Sequence, residues 1–402
     1  MREKSALIES SIQAKVTPEQ FLSNATKNQL PLAIWRKPNA ENYHISVSFS
    51  NDTRIEEESI ENLMDGFIFC PFIASEKNPK HFIKNDILLK IKADNVLEIN
   101  ESLHHNSNNI REALFEKTDA KVAFYSTSEN RTAVSQGNRH LDYVQYVSEA
   151  VQQIKSGDFE KVVPTRKESI ALPKGFDAFS FFKVLESSYP NAFIYLVSLP
   201  DQGTWIGATP ENLISIQKNS IFKTTALAGT QKYQDDMDLV DAAWRQKEIE
   251  EQAMVSRYII NCFKKIRLRE FEEHGPKTVK AGNLMHLKTD FIVHMEEVNF
   301  PQLGSVMLNL LHPTSAICGM PQEPALKFIM EKEGFDREYF SGFLGPVNTE
   351  NDTDIFVNLR CMKVISSRFA ETFAGAGVTI DSIPEKEWLE TEMKMDTLLK
   401  LL

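Results

Sequence analysis

The sequence predicts an α+β layered fold: large, mostly antiparallel sheets flanked by helices. Two observations carry this. Five strand-like segments follow one another between Lys161 and Ala228 with a single helical stretch among them, and strands joined without crossover helices pair antiparallel. One long helical segment and one terminal amphipathic helix then interrupt further strands, which is not the regular alternation of a βαβ repeat.

Within residues 1–140, Leu32–Trp35, Ile45–Phe49 and Phe67–Phe72 read as strands, and Glu101–Asn109 and Ser126–Arg139 as loops. His104 and His105 are adjacent, not at metal-ligand spacing, and read as a solvated pair. A core domain, 141–402, starts where Val144, Val147, Val151 and Ile154 recur at helical spacing, with Gly157 placed to end the helix. The strands Lys161–Ile170, Ala192–Leu199, Thr204–Ala208, Leu213–Gln217 and Phe222–Ala228 follow, with the helical stretch Phe176–Glu186 after the first. A long helix from about Leu239 to Lys265, strands at Lys280–His294, Ile355–Ile365 and Phe369–Ala374, and a final helix from Glu385 complete the chain.

A chain of 402 residues can bury a sizeable core. Its formal net charge of −11 repels phosphate backbones and anionic membranes, so neither nucleic acid nor membrane is an expected partner. The charged start MREKSALIESSIQAK lacks a signal-peptide core, no run approaches a membrane span, and a cytoplasmic location is expected. Cys70, Cys262, Cys318 and Cys361 lie far apart and read as reduced core thiols.

Glu248 and Glu251 are three apart in the long helix, and Glu387, Glu390 and Lys394 repeat such an edge in the last one. Were the two edges to meet, their carboxylates would suit Mg²⁺; by spacing alone, solvated helix faces are the commoner explanation. Glycine-bearing turns at Gly207–Glu211, Ala228–Thr230 and Ala374–Gly377 allow close backbone approach to an anion, though turns between strands have the same composition and none is a dinucleotide fingerprint. Lys161 and Arg360 sit among apolar residues, where a long cation must find an anion or snorkel outward. By sequence alone His286 reads more readily as a hydrogen-bonded core histidine than as a site residue.

The ordered strings EKVVPTR (160–166), GATPENL (207–213), TTALAGT (224–230), KEIEEQ (247–252), HLKTDF (286–291), HPTSAICGMP (312–321), YFSGFLGP (339–346), NLRCMK (358–363), AGAG (374–377) and EKEWLETEMK (385–394) resemble the chorismate-binding enzyme family. That family includes isochorismate, salicylate, anthranilate and aminodeoxychorismate synthases. The match covers about Leu141 to Leu402, the catalytic domain, and leaves 1–140 as a variable N-terminal part of the same fold.

The resemblance implies chorismate as substrate and Mg²⁺ as cofactor. It puts Glu251 and Glu390 at metal-ligand positions and Glu248 and Glu387 where carboxylates hold the metal's waters. Arg360, Gly375, Gly377 and Lys394 match positions that receive substrate carboxylates, His286 a substrate-side histidine, and Gly229, Thr230 and Ala316 further parts of the pocket. Water-adding members carry a lysine at the position of Lys161, which implies that Lys161 is the general base, Glu211 the general acid and isochorismate the product. Salicylate synthesis by further pyruvate elimination is the nearest alternative, followed by an aminating activity or a non-catalytic chorismate-binding protein. No glutaminase partner is expected, and the choice between menaquinone and siderophore supply stays open. The sequence departs from the family pattern at Pro164 (usually apolar and not proline), Gln252 (often histidine) and Phe340 (tyrosine in some relatives).

Overall fold

The computed structural model describes residues 16–56, 59–93, 95–101, 108–117, 124–125, 139–218, 220–233, 238–281 and 284–402. His104 and His105 and nearly all of the expected loop Ser126–Arg139 lie outside them. Among the described residues, two nine-stranded sheets, antiparallel at every pairing, form the frame. The first runs, edge to edge, Asn95–Glu101, Ile87–Lys92, Tyr43–Val47, Leu32–Arg36, Phe193–Leu199, Gly203–Thr209, Cys361–Val364, Phe369–Gly375 and Thr165–Ala171. The second runs Glu272–Ala281, Leu284–His294, Ile221–Lys232, Asn212–Gln217, Thr353–Val357, Phe343–Val347, Gly66–Cys70, Lys80–Lys84 and Arg54–Ile55. Strands from either side of residue 140 pair directly: Leu32–Arg36 with Phe193–Leu199, and Gly66–Cys70 with Phe343–Val347.

Side chains alternate across a strand, so each sheet has two faces to cover. The inner faces meet in an aromatic layer: Trp35, Phe193, Tyr195, Trp205 and Phe373 from the first sheet against Phe67, Phe69, Leu344 and Phe356 from the second. Phe193 stacks on Phe356 across this layer with ring centroids 4.1 Å apart. The outer face of the first sheet packs on helices Pro18–Lys27 and Ala178–Ser188. Helices Gln246–Lys265 and Leu303–Leu311 cover that of the second, and Arg139–Ser156 and Gln322–Lys332 extend the same core beside them. The result is four layers: helix, sheet, sheet, helix. Burial on both faces explains why Leu32–Arg36, Phe193–Leu199 and Gly203–Thr209 are buried at every residue and show no polar alternation.

Several expected elements are revised. The stretch Lys280–His294 is a hairpin whose first strand begins at Glu272. The long helix starts at Gln246, after a separate short turn at Leu239–Asp241. The expected strand Lys161–Ile170 breaks after Val162, because Pro164 has no N–H for a ladder. Most consequentially, Ile355–Ile365 is two strands in different sheets, Thr353–Val357 and Cys361–Val364, so Arg360 lies in the crossing between them and not in a strand. All four cysteines are free and buried. No helix among the described residues is long and apolar enough to cross a membrane.

Candidate active site

The chain passes between the sheets twice at one place. One crossing joins Gly203–Thr209 to Asn212–Gln217 and carries Glu211; the other joins Thr353–Val357 to Cys361–Val364 and carries Arg360. The two are laced together: Val357 N donates to Glu211 O (2.9 Å) and Ala208 N to Arg360 O (3.0 Å). Arg360 has a φ of +49°, a left-handed conformation uncommon for a side chain of this size. Its guanidinium lines the cleft and has no hydrogen-bond or ion-pair partner among the described residues, although burial lowers its pKa against the pull of Glu390 and Glu211. An enclosed cation without a partner is suited to an incoming anion. Glu211 lines the same cleft. Burial pushes its carboxyl up to about 7, against the opposing charges of Arg360, Lys161 and Lys394.

Lys161 has found an anion instead of snorkelling. It is 1% exposed, on a two-residue strand, Lys161–Val162, that pairs with Gly319–Met320, and its Nζ donates to Glu251 Oε1 at 3.1 Å. Gly377 lies over this pair: a Cβ there would be 3.1 Å from Lys161 Cε and 3.2 Å from Glu251 Oε1. Beyond the break at Pro164, whose carbonyl accepts from Ala376 N (3.2 Å) and the Tyr143 hydroxyl (3.2 Å), Thr165 also faces the cleft.

The two acidic helix edges do meet, and every carboxylate on them is turned to a cation of its own chain. Glu251 contacts Lys161 at 3.1 Å, Glu390 contacts Lys394 at 2.7 Å, Glu387 contacts Lys247 at 3.2 Å and Glu248 contacts Arg245 at 3.1 Å. Glu248 also caps its helix, accepting from Arg245 N at 3.0 Å. Desolvation would raise the Glu251 carboxyl, but Lys161, Lys394 and Lys247 together hold it below the ordinary glutamate value. Glu387 moves the other way, raised by burial and by its neighbour Glu390 against the pull of Lys247. Among the described residues no three acidic, histidine or cysteine side chains are gathered as a metal cage. Their chemistry nonetheless fits a hard divalent cation: the donors are carboxylate oxygens, and their charge is already balanced by cations.

Gly229, Thr230, His286, Ala316, Gly375 and Lys394 line the cleft with Glu211, Arg360, Glu251 and Glu390. Gly229 needs its φ of +68°, since it closes the bulged strand end against Glu248. Its carbonyl accepts from His286 Nδ1 at 2.9 Å, which assigns the proton to Nδ1 and leaves a lone pair on Nε2. Burial lowers the His286 pKa to about 4, so the ring is neutral near pH 7. Thus His286 is both a bonded core histidine and part of the cleft wall. Lys394 Nζ ties Gly375 O (2.8 Å) to Glu390. Glu248, Glu387, Lys161 and Gly377 are not part of the cleft lining; Glu248 adjoins the lining residue Gly229, and Lys161 and Gly377 adjoin Glu251. Phe340 is in the wall itself, and Gln252 donates away from the cleft, to Ala226 O (3.2 Å) and Thr289 Oγ1 (3.0 Å). Thr165 and Lys247 carry no spacing signal that would single them out in the sequence.

The family model described as "Chorismate binding enzyme" matches residues 9–402. The isochorismate synthase EntC of Escherichia coli K12 is 30% identical over 264 residues, 64% of this chain and 66% of that protein. The chain thus spans just under two thirds of that relative's length. Anthranilate synthase component 1 of Thermococcus kodakarensis is 27% identical over 272 residues, 65% of this chain and 60% of the relative. In three dimensions the fold is similar to that of MenF, the menaquinone-specific isochorismate synthase from Escherichia coli, with a TM-score of 0.73 at 19% identity, covering 95% of this chain and 91% of that one. The matched model and the assembled cleft together lead to one statement: the chain belongs to the chorismate-binding enzyme family.

Proposed function

We propose that this protein is an isochorismate synthase, converting chorismate to isochorismate by adding water at C2 with loss of the C4 hydroxyl. The observation that carries the reading is a pair of opposed proton carriers: a carboxyl in the cleft wall held near 7, Glu211, and a buried lysine, Lys161, whose charge acts on it from beside the lining residue Glu251. An acid poised near neutral pH can protonate a departing hydroxyl. A lysine that has first given up its own proton can take that of an attacking water, and the water added and hydroxyl lost balance as the ring double bonds shift. Relatives of both the isochorismate and the anthranilate type match this chain, so Lys161 is what favours water over ammonia.

Arg360, without a partner among the described residues, would receive a substrate carboxylate through its planar fork, and the backbone at Gly375 lets the substrate approach closely. Neutral His286 offers Nε2 as an acceptor beside the ring. Glu251 and Glu390 would hold Mg²⁺, with Glu387 and Glu248 on its waters, and the metal would supply charge neutralisation for the ring carboxylate. Glu248 can serve so only by loosening its cap.

Chromatography of the products formed from chorismate and Mg²⁺, with EDTA and ammonium controls, tests the reading. Isochorismate alone, lost with EDTA, supports it; salicylate with pyruvate, an aminated product or unchanged chorismate each replaces it with another activity or none. Lys161→Ala is expected to abolish turnover while chorismate still binds, and wild-type turnover in that variant removes Lys161 as base.

A further inference from the structure

Lys247 differs from the other two lysines around the acidic edges. Lys161 and Lys394 are largely buried, whereas 44% of the Lys247 side chain is open to solvent. It occupies the first turn of helix Gln246–Lys265, four residues before Glu251 and on the same face. Its ammonium is 3.2 Å from Glu387 Oε1, and the charges of Glu390 and Glu251 act on it as well. Glu387 is 2% exposed. A carboxylate so enclosed, with Glu390 as a neighbour, needs a positive partner when no metal is bound.

We propose that Lys247 is a tethered counter-ion: it neutralises Glu387, Glu390 and Glu251 in the metal-free protein and swings into solvent when a divalent cation enters. The proposal rests on the reading that these carboxylates hold the metal. An ammonium in contact with Glu387 and a divalent cation on the same carboxylates repel one another. The remaining lysines cannot give way: Lys161 is enclosed, and Lys394 is bonded to Gly375 O. Lys247 can, since its four-carbon stem already reaches water. Metal binding is then an exchange of cations, with the lysine keeping the two acidic helix edges from repelling each other beforehand.

The probe is Mn²⁺, titrated into the full chain without chorismate, with free Mn²⁺ read by electron paramagnetic resonance and thermal unfolding followed in parallel. Lys247→Met is expected to bind Mn²⁺ on the order of tenfold more tightly than wild type, to melt lower without metal and to gain more from it. Lys247→Arg keeps the charge and is expected to bind as wild type does. Equal or weaker binding by Lys247→Met overturns the proposal, as does Lys247→Arg binding as tightly as Lys247→Met. Glu390→Gln separates the two levels. If it binds Mn²⁺ like wild type, the carboxylate reading itself fails; if it weakens binding while Lys247→Met does not strengthen it, only the role of Lys247 fails.

Discussion

Replacing Glu211 with glutamine separates what the residue does for the reaction from what its burial costs the fold. The ordinary glutamate value of 4.5 is raised to about 7 in the cleft wall. A carboxyl raised in the fold binds its proton more tightly there than in the unfolded chain, so stability is lost as pH rises from about 4.5 to 7. At full weight this is about 3 kcal/mol, and solvent reaching the cleft reduces it to roughly 1–3 kcal/mol. Glutamine is close in shape and carries no charge. Glu211→Gln is therefore expected to be more stable than wild type at pH 8 by that amount, with the gain falling below about 1 kcal/mol at pH 5, where the folded carboxyl is protonated and the pH has only begun to exceed the unfolded value of 4.5. Its kcat is expected to fall by about 10²–10⁴, the usual weight of a general acid. Urea unfolding at the two pH values, with chorismate turnover alongside, measures both. A stability gain that does not depend on pH, or no gain at pH 8, refutes the electrostatic argument; unchanged kcat refutes the assignment of Glu211 as acid.

Arg360→Lys retains the charge and loses the fork; KM for chorismate is expected to rise roughly 10–100-fold with fold stability intact, and an unchanged KM would remove Arg360 from carboxylate binding. His286, with its pKa lowered to about 4 by burial, is expected to give imidazole NMR shifts that stay constant from pH 8 to 5.5, and a titration near 6.5 would contradict the burial argument. Because the unfolded chain takes up a proton the folded ring refuses, this residue withdraws stability as pH falls from 6.5 towards 4. Gly375→Ala would place a Cβ 2.7 Å from Thr165 Cγ2 and 3.0 Å from Pro164 O. It is expected to destabilise by about 1–3 kcal/mol and to raise KM, with partial rescue by Thr165→Ser, which removes the nearer atom; thermal melts and kinetics of the double variant check this.

Local patterns were enough to locate most of the strands and the terminal helix. The alternation of turn residues and apolar runs marks Phe193–Leu199, Gly203–Thr209 and Phe369–Gly375 almost to the residue. They were weakest where the chain changes sheet. Ile355–Ile365 is continuously β-compatible, and nothing local distinguishes one strand from two strands joined at Asn358–Arg360, because the break is set by pairing partners on two different sheets. The helices Leu303–Leu311 and Gln322–Lys332 carry no clear helical periodicity: both are short, and one is apolar on nearly every side.

The sequence by itself determined the α+β class, the antiparallel pairing and, through an ordered set of motifs, the family and the residue types its chemistry requires. Spacing also placed Glu248 with Glu251 and Glu387 with Glu390 on single helix faces. Only the tertiary structure decided that those faces meet and that Lys161 is paired with Glu251, not with solvent. It alone shows that Arg360 is left without a partner among the described residues and that Glu211 is raised towards neutrality. The physical reason is that charge state and partner choice depend on burial and on groups distant in sequence, and residues 161, 211, 251, 360 and 390 become neighbours only when two sheets and two helices close around the crossings between them.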